Sequence, residues 1–123
     1  MRVFKTKTFD RCAKKSNVSD EALIASAIEI SQGNFEANLG SNIFKKRIAT
    51  KGRGKSGSVR TIVAFKINGH SFFMFGYEKN DKSSLTENEE RALRLVAKGM
   101  FEKTEAELNK LVKNGALVEV RYE

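Results

Sequence analysis

Val59 to Ile67 is rich in β-branched residues and is followed by Asn68-Gly69, the strongest short hairpin signal a sequence can carry. His70 to Lys79 then returns as the partner strand, with Phe72, Phe73 and Phe75 along it. A chain with such a hairpin must build its sheet around that pair. With a two-residue turn, Arg60 lies opposite Tyr77 and their side chains share a face, with Ser58 opposite Lys79 beside them. A one-residue slip would turn every one of these side chains to the other face.

The rest of the chain supplies helices on either side. Met1 to Lys7 reads as a short first strand and Phe9 to Lys15 as a short helix. Ser19 is an N-cap ahead of Asp20 and Glu21. Leu23, Ile24, Ala27, Ile28 and Ile30 then recur with helical spacing until Gly33. Phe35 to Ile48 holds one or two strands broken by Gly40. Thr86 with Glu89, and Thr104 with Glu107, are capping boxes ahead of two further helices. Asn114-Gly115 closes the second, and Leu117 to Tyr122 alternates as a last strand with an edge open to a partner strand. The order predicts an α+β fold in one domain, residues 1–123, with a small twisted antiparallel sheet, N-terminal helices and a C-terminal helical extension.

Charge is distributed unevenly. The formal net charge is +8, and no Asp or Glu occurs from Ala37 to Tyr77. Lys45, Lys46, Arg47, Lys51, Arg53, Lys55, Arg60 and Lys66 lie in that window and account for the whole excess. Concentrated in a Gly- and Ser-punctuated stretch between strands, it points to a phosphate-rich partner. With one Cys and one His, the chain cannot form an internal disulfide or a usual zinc site. It has no apolar run of membrane-spanning length, and its N-terminus lacks the apolar core of a signal peptide. These features predict a cytoplasmic protein with no membrane partner, metal or other cofactor.

A row of cations at the open end of the hairpin suits a phosphodiester. RNA cleavage by its own 2′-hydroxyl needs a base, charge to stabilise a dianionic phosphorane, and an acid for the leaving 5′-oxygen. Lys and Arg supply the second, and a Lys crowded by cations can have its pKa lowered enough to exchange protons. His70 sits at the hairpin tip, too far away, and reads as a solvated residue. Basic patches more often bind than react, so charge alone leaves a non-catalytic RNA- or ribosome-binding domain open.

The strings Lys45-Lys46-Arg47-Ile48-Ala49, Lys51-Gly52-Arg53-Gly54-Lys55-Ser56-Gly57-Ser58-Val59-Arg60-Thr61-Ile62 and Phe75-Gly76-Tyr77-Glu78-Lys79-Asn80 resemble the RelE superfamily of toxins of bacterial toxin–antitoxin systems, most closely its HigB-like branch. The resemblance implies an RNase-like fold that binds mRNA in the ribosomal A site and cleaves it without a metal. It also implies a cognate helix-turn-helix antitoxin. By motif, Arg60 resembles the arginine on the scissile phosphate, with Lys55, Lys79 and Arg47 in the catalytic group. Lys45, Lys51, Arg53, Tyr77 and Lys82 fall to RNA binding, Tyr77 by stacking on a base or bonding a phosphate. Lys46 departs from the pattern, standing where such proteins often carry an apolar residue. A ParE-like inhibitor of DNA gyrase would share the fold, but that branch generally lacks so dense a basic loop.

Overall fold

The computed structural model describes residues 1–50, 58–67, 69–79 and 84–121. In chain order these form β1 (Val3–Thr6), α1 (Lys7–Lys15), α2 (Asp20–Ser31), β2 (Ala37–Gly40), β3 (Ile43–Ala49), β4 (Ser58–Phe65), β5 (Ser71–Glu78), α3 (Glu87–Phe101), α4 (Glu105–Lys113) and β6 (Leu117–Val120). The strands make one six-stranded sheet in the order β2-β3-β4-β5-β1-β6, leaving β2 and β6 at its edges. The fold is α+β. The sheet is mixed rather than purely antiparallel, because β1 runs parallel to β5 while pairing antiparallel with β6.

Local chemistry starts each helix where the sequence places it. The hydroxyls of Thr6 and Ser19 accept hydrogen bonds from the backbone N–H groups of Phe9 and Ala22. Both expected capping boxes are formed, Thr86 with Glu89 and Thr104 with Glu107. Gly33 follows α2 and Gly115 follows α4, each at φ +85°, a conformation that side chains rarely tolerate.

Two apolar layers clamp the sheet. On one face Phe9, Leu23, Ala27 and Ile30 from α1 and α2 pack on Val59, Val63 and Phe73. On the other, Ala97 of α3 and Leu108 of α4 pack on Phe4, Ile62, Phe72 and Leu117. The aromatic residues of β5 are therefore core, as strand alternation requires. α1 approaches β5 closely at Gly76, where an added Cβ would lie 2.9 Å from Cys12 Sγ and 3.0 Å from the Phe9 ring.

The central hairpin differs from its expected form. Phe65 pairs with Ser71, so the connection spans residues 66–70, and Gly69 N–H donates to Lys66 O at 2.9 Å. The two-residue turn lies elsewhere: Gly40 pairs with Ile43, and Ser41 and Asn42 between them have φ of 55° and 63°. Positive φ at both central residues is what a tight turn between twisted strands requires. Ile62 faces Phe75 whereas Val63 faces Phe73, so Met74 is an extra residue in β5. This bulge offsets the longer connection, and Arg60 still lies opposite Tyr77.

A second correction concerns His70, which is half-buried rather than solvated. Its Nδ1 accepts from Arg2 N–H at 3.2 Å and its Nε2 lies 3.0 Å from Glu105. Arg2 forms a two-pronged contact with Glu119, 2.9 Å on each arm, and reaches Asn109 at 2.9 Å. This network ties α4 and β6 to β1 at the end of the sheet away from Arg60.

Buried charge gives the fold an acid-sensitive side. Lys5, 8% exposed, reaches Asp10 at 3.0 Å and Asp20 at 3.3 Å, holding α1 and α2 to β1. Burial pushes the Asp10 carboxyl up, but hydrogen bonds from Lys5 and Lys14 outweigh it and hold the group below its ordinary value. The Arg2 hydrogen bond likewise lowers Glu119. Carboxylates lowered on folding contribute stability above their unfolded pKa of about 4, and lose it as pH falls through the folded value. The thermal midpoint should thus be flat above about pH 5 and fall below about pH 4. Asp10→Asn should flatten that acid limb; an identical limb in the variant would remove Asp10 from the explanation.

Candidate nucleic-acid interface

Strand pairing sorts the acid-free window into two faces. Arg47 is paired with Arg60 and Arg60 with Tyr77, so three side chains stand in one row across β3, β4 and β5. Side chains paired in this way have Cβ atoms about 5 Å apart. Lys45 belongs to the next row, paired with Ile62 and through it with Phe75. This is the face covered further along by α3 and α4. Arg47 is exposed, while Lys45 and Arg60 are half-buried.

Two like charges directly across a ladder repel each other. Among the described residues no carboxylate offsets them, and neither Arg47 nor Arg60 forms an ion pair. Glu36, just before the window, bonds the Arg47 backbone N–H at 2.6 Å and not its guanidinium. Arg60 Nη1 and the Tyr77 hydroxyl are buried and have no hydrogen-bond partner among the described residues; the same holds for Thr50 Oγ1 at the end of β3. A buried donor left unpaired costs about 1–3 kcal/mol, and more when charged. Tyr77 is 4% exposed, with its ring 6.0 Å from that of Phe75. A guanidinium, a phenol and a second guanidinium thus converge with donors to spare, and an anion with several oxygens would satisfy them together.

Alternation also explains the residue that breaks the motif. Lys46 points to the opposite face, 5% exposed, where its Nζ meets Glu29 at 3.1 Å and Asn34 O at 3.2 Å. It fastens α2 to β3 and takes no part in the cationic row. Lys66 lies at the far end, its Nζ 5.5 Å from the centroid of the Phe101 ring. The β4–β5 ladder ends at Val59 and Glu78, with Lys79 exposed immediately after it. Lys51, Arg53, Lys55 and Lys82 lie outside the described residues. Sequence reasoning placed Arg60 beside Tyr77 but missed the direct pairing of Arg47 with Arg60. No local signal fixes the β3–β4 register.

Among the described residues no group of three or more His, Cys, Asp or Glu side chains is placed to hold a metal ion. No helix among them is long and apolar enough to cross a membrane. No curated protein matches the chain. One family model does, described as the RelE toxin of the RelE / RelB toxin-antitoxin system, and it covers residues 1–120. That span includes β6, which lies beyond the last of the three strings that carry the resemblance.

Proposed function

The chain belongs to the RelE toxin family of toxin–antitoxin systems, and we propose that it is an endoribonuclease of the HigB-like kind, cutting translated messages in the ribosomal A site until an antitoxin silences it. The observation that carries this reading is the Arg47–Arg60–Tyr77 row, whose buried Arg60 Nη1 and Tyr77 hydroxyl have no hydrogen-bond partner among the described residues.

The row suits one reaction. The 2′-oxygen of a ribose attacks the adjacent phosphorus and gives up its proton to a base. The bond from phosphorus to the 5′-oxygen breaks, and that oxygen takes a proton from an acid. The products are a 2′,3′-cyclic phosphate and a 5′-hydroxyl. Arg60 and Arg47 lie where charge builds on the non-bridging oxygens, and fixed donors there act without reorganising. Tyr77 adds a third donor. Lys55 and Lys79 are assigned the proton transfers, the role of a general base and a general acid. Lys45, Lys51, Arg53 and Lys82 hold the strand through its phosphates. The antitoxin is a helix-turn-helix protein in this reading, and the toxin acts in the cytoplasm.

Inducing the chain in a bacterial host distinguishes the alternatives. Messages cut within their translated regions are the expected result. Accumulated DNA breaks with intact messages would mean a gyrase-directed toxin. Growth arrest with neither would mean a binding domain without chemistry.

A further inference from the structure

The cations of α3 are not part of the row described above, yet they line the same face of the sheet. A groove of about 580 Å³ runs between α3, from Arg91 onward, and the Ser41-Asn42 turn. Lys66, Arg91, Arg94 and Lys98 line it, with Phe101, and among the described residues Glu102 is the one carboxylate on its wall. Arg91, Arg94 and Lys98 recur at helical spacing along one side of α3. Arg94 is fixed, its guanidinium donating to Leu39 O at 3.2 Å on the edge strand β2 and lying 3.6 Å from Glu90. Arg91 and Lys98 are exposed, and neither forms an ion pair among the described residues.

The groove continues the cationic row. Arg47, Lys45 and Ile43 point to the same face of β3, and Ile43 pairs with Gly40 beside the Ser41-Asn42 turn that forms the groove wall. The four residue steps from Ile43 to Arg47 cover about 13 Å, and Arg91 to Lys98 covers about 10 Å along α3. Cations are therefore spaced from Arg60 and Arg47 through Lys45 to the α3 groove, with Glu102 on the groove wall and Glu90 beside Arg94. Regular positive charge in a channel, without a base-reading pattern, tracks a nucleic-acid backbone.

We propose that this groove is a second phosphate-binding site, which takes the single-stranded RNA backbone several nucleotides from the scissile phosphate. The proposal rests on the RNA-cleaving reading and extends it: the row performs the cleavage and the groove sets how much of the strand is gripped. Lys45 lies between the two. Arg94 shapes the groove through Leu39, while Arg91 and Lys98 are left to meet phosphate.

Binding of non-cleavable 2′-O-methyl oligonucleotides tests it, using lengths of about four and about twelve nucleotides. The full chain is compared with an Arg91→Gln/Lys98→Gln variant, whose exposed changes leave the core untouched. The longer oligonucleotide should bind the variant about tenfold more weakly. Its log–log salt dependence should be shallower by about 1.4, at about 0.7 per lost phosphate contact. The shorter one should bind both proteins alike. Equal affinity and salt dependence for the longer strand would overturn the groove, including the case in which it receives an acidic segment of a partner protein. A variant that still cuts messages with unaltered affinity overturns the groove alone. A wild-type chain that neither binds the strand nor cuts messages overturns both readings.

Discussion

Arg60→Ala should abolish toxicity and leave the fold in place. The Arg60 guanidinium occupies the middle of a three-strand row, flanked by Arg47 and Tyr77, its buried Nη1 without a hydrogen-bond partner among the described residues. Removing it breaks no ion pair among the described residues, and it relieves the repulsion from Arg47. Thermal stability should therefore stay within about 1 kcal/mol of wild type. The chemistry should suffer far more. A preorganised donor lost from developing negative charge costs about 3–4 kcal/mol, a factor of 10² to 10³ in rate. Arg60→Lys keeps the charge but loses the planar fork, and should recover part of the rate at most. Growth arrest of full strength from a folded Arg60→Ala protein would remove Arg60 from the reaction.

Gly76→Ala should destabilise, although the usual effect of this change has the opposite sign. Where the backbone accepts Ala, loss of unfolded-state freedom stabilises by about 0.4–1 kcal/mol. Gly76 lies inside β5 and is not among the glycines with positive φ. The obstacle is space: the new Cβ would meet Cys12 Sγ at 2.9 Å and the fully buried Phe9 ring at 3.0 Å. Either α1 moves away or β5 bends, and overpacking of this kind costs about 1–3 kcal/mol. A bend in β5 would also displace Tyr77, the next residue. The melting midpoint should fall by several degrees. Combining Gly76→Ala with Cys12→Ala should recover part of the loss, giving a non-additive pair in a double-mutant cycle. A Gly76→Ala protein as stable as wild type would mean that α1 yields freely there.

Features governed by local chemistry were legible in the sequence. Thr86 with Glu89 and Thr104 with Glu107 start helices because the reciprocal bonds they form lie within one turn. The strands β4 and β5 follow from β-branched and aromatic runs. Pairing over distance was less legible. Nothing in Val3–Thr6 says that it inserts between β5 and β6, parallel to one and antiparallel to the other. The tight turn at Ser41-Asn42 was hidden because two non-glycine residues carry the positive φ. Asn68-Gly69 signalled a two-residue turn that the chain replaces with a longer connection.

The site was partly legible for a related reason. Arg60 faces Tyr77 because the Met74 bulge restores the register that the longer connection would have shifted. No pattern of alternation reveals such a bulge. The separation of Lys46 from Lys45 and Arg47, by contrast, follows directly from the period of two along β3. The groove on α3 was invisible, because charge balances outside the window and only packing gathers Arg91, Arg94 and Lys98 beside Lys66.

Terminal chemistry on cut RNA tests the central claim most directly. The purified chain is added to ribosomes translating a defined message, and the ends of the fragments are determined. Wild type should yield fragments with a 2′,3′-cyclic phosphate on one side and a 5′-hydroxyl on the other, and Arg60→Ala should yield none. An uncut message with the wild-type chain, or fragments carrying 5′-phosphates and 3′-hydroxyls, would contradict cleavage by the 2′-hydroxyl on the Arg47–Arg60–Tyr77 row.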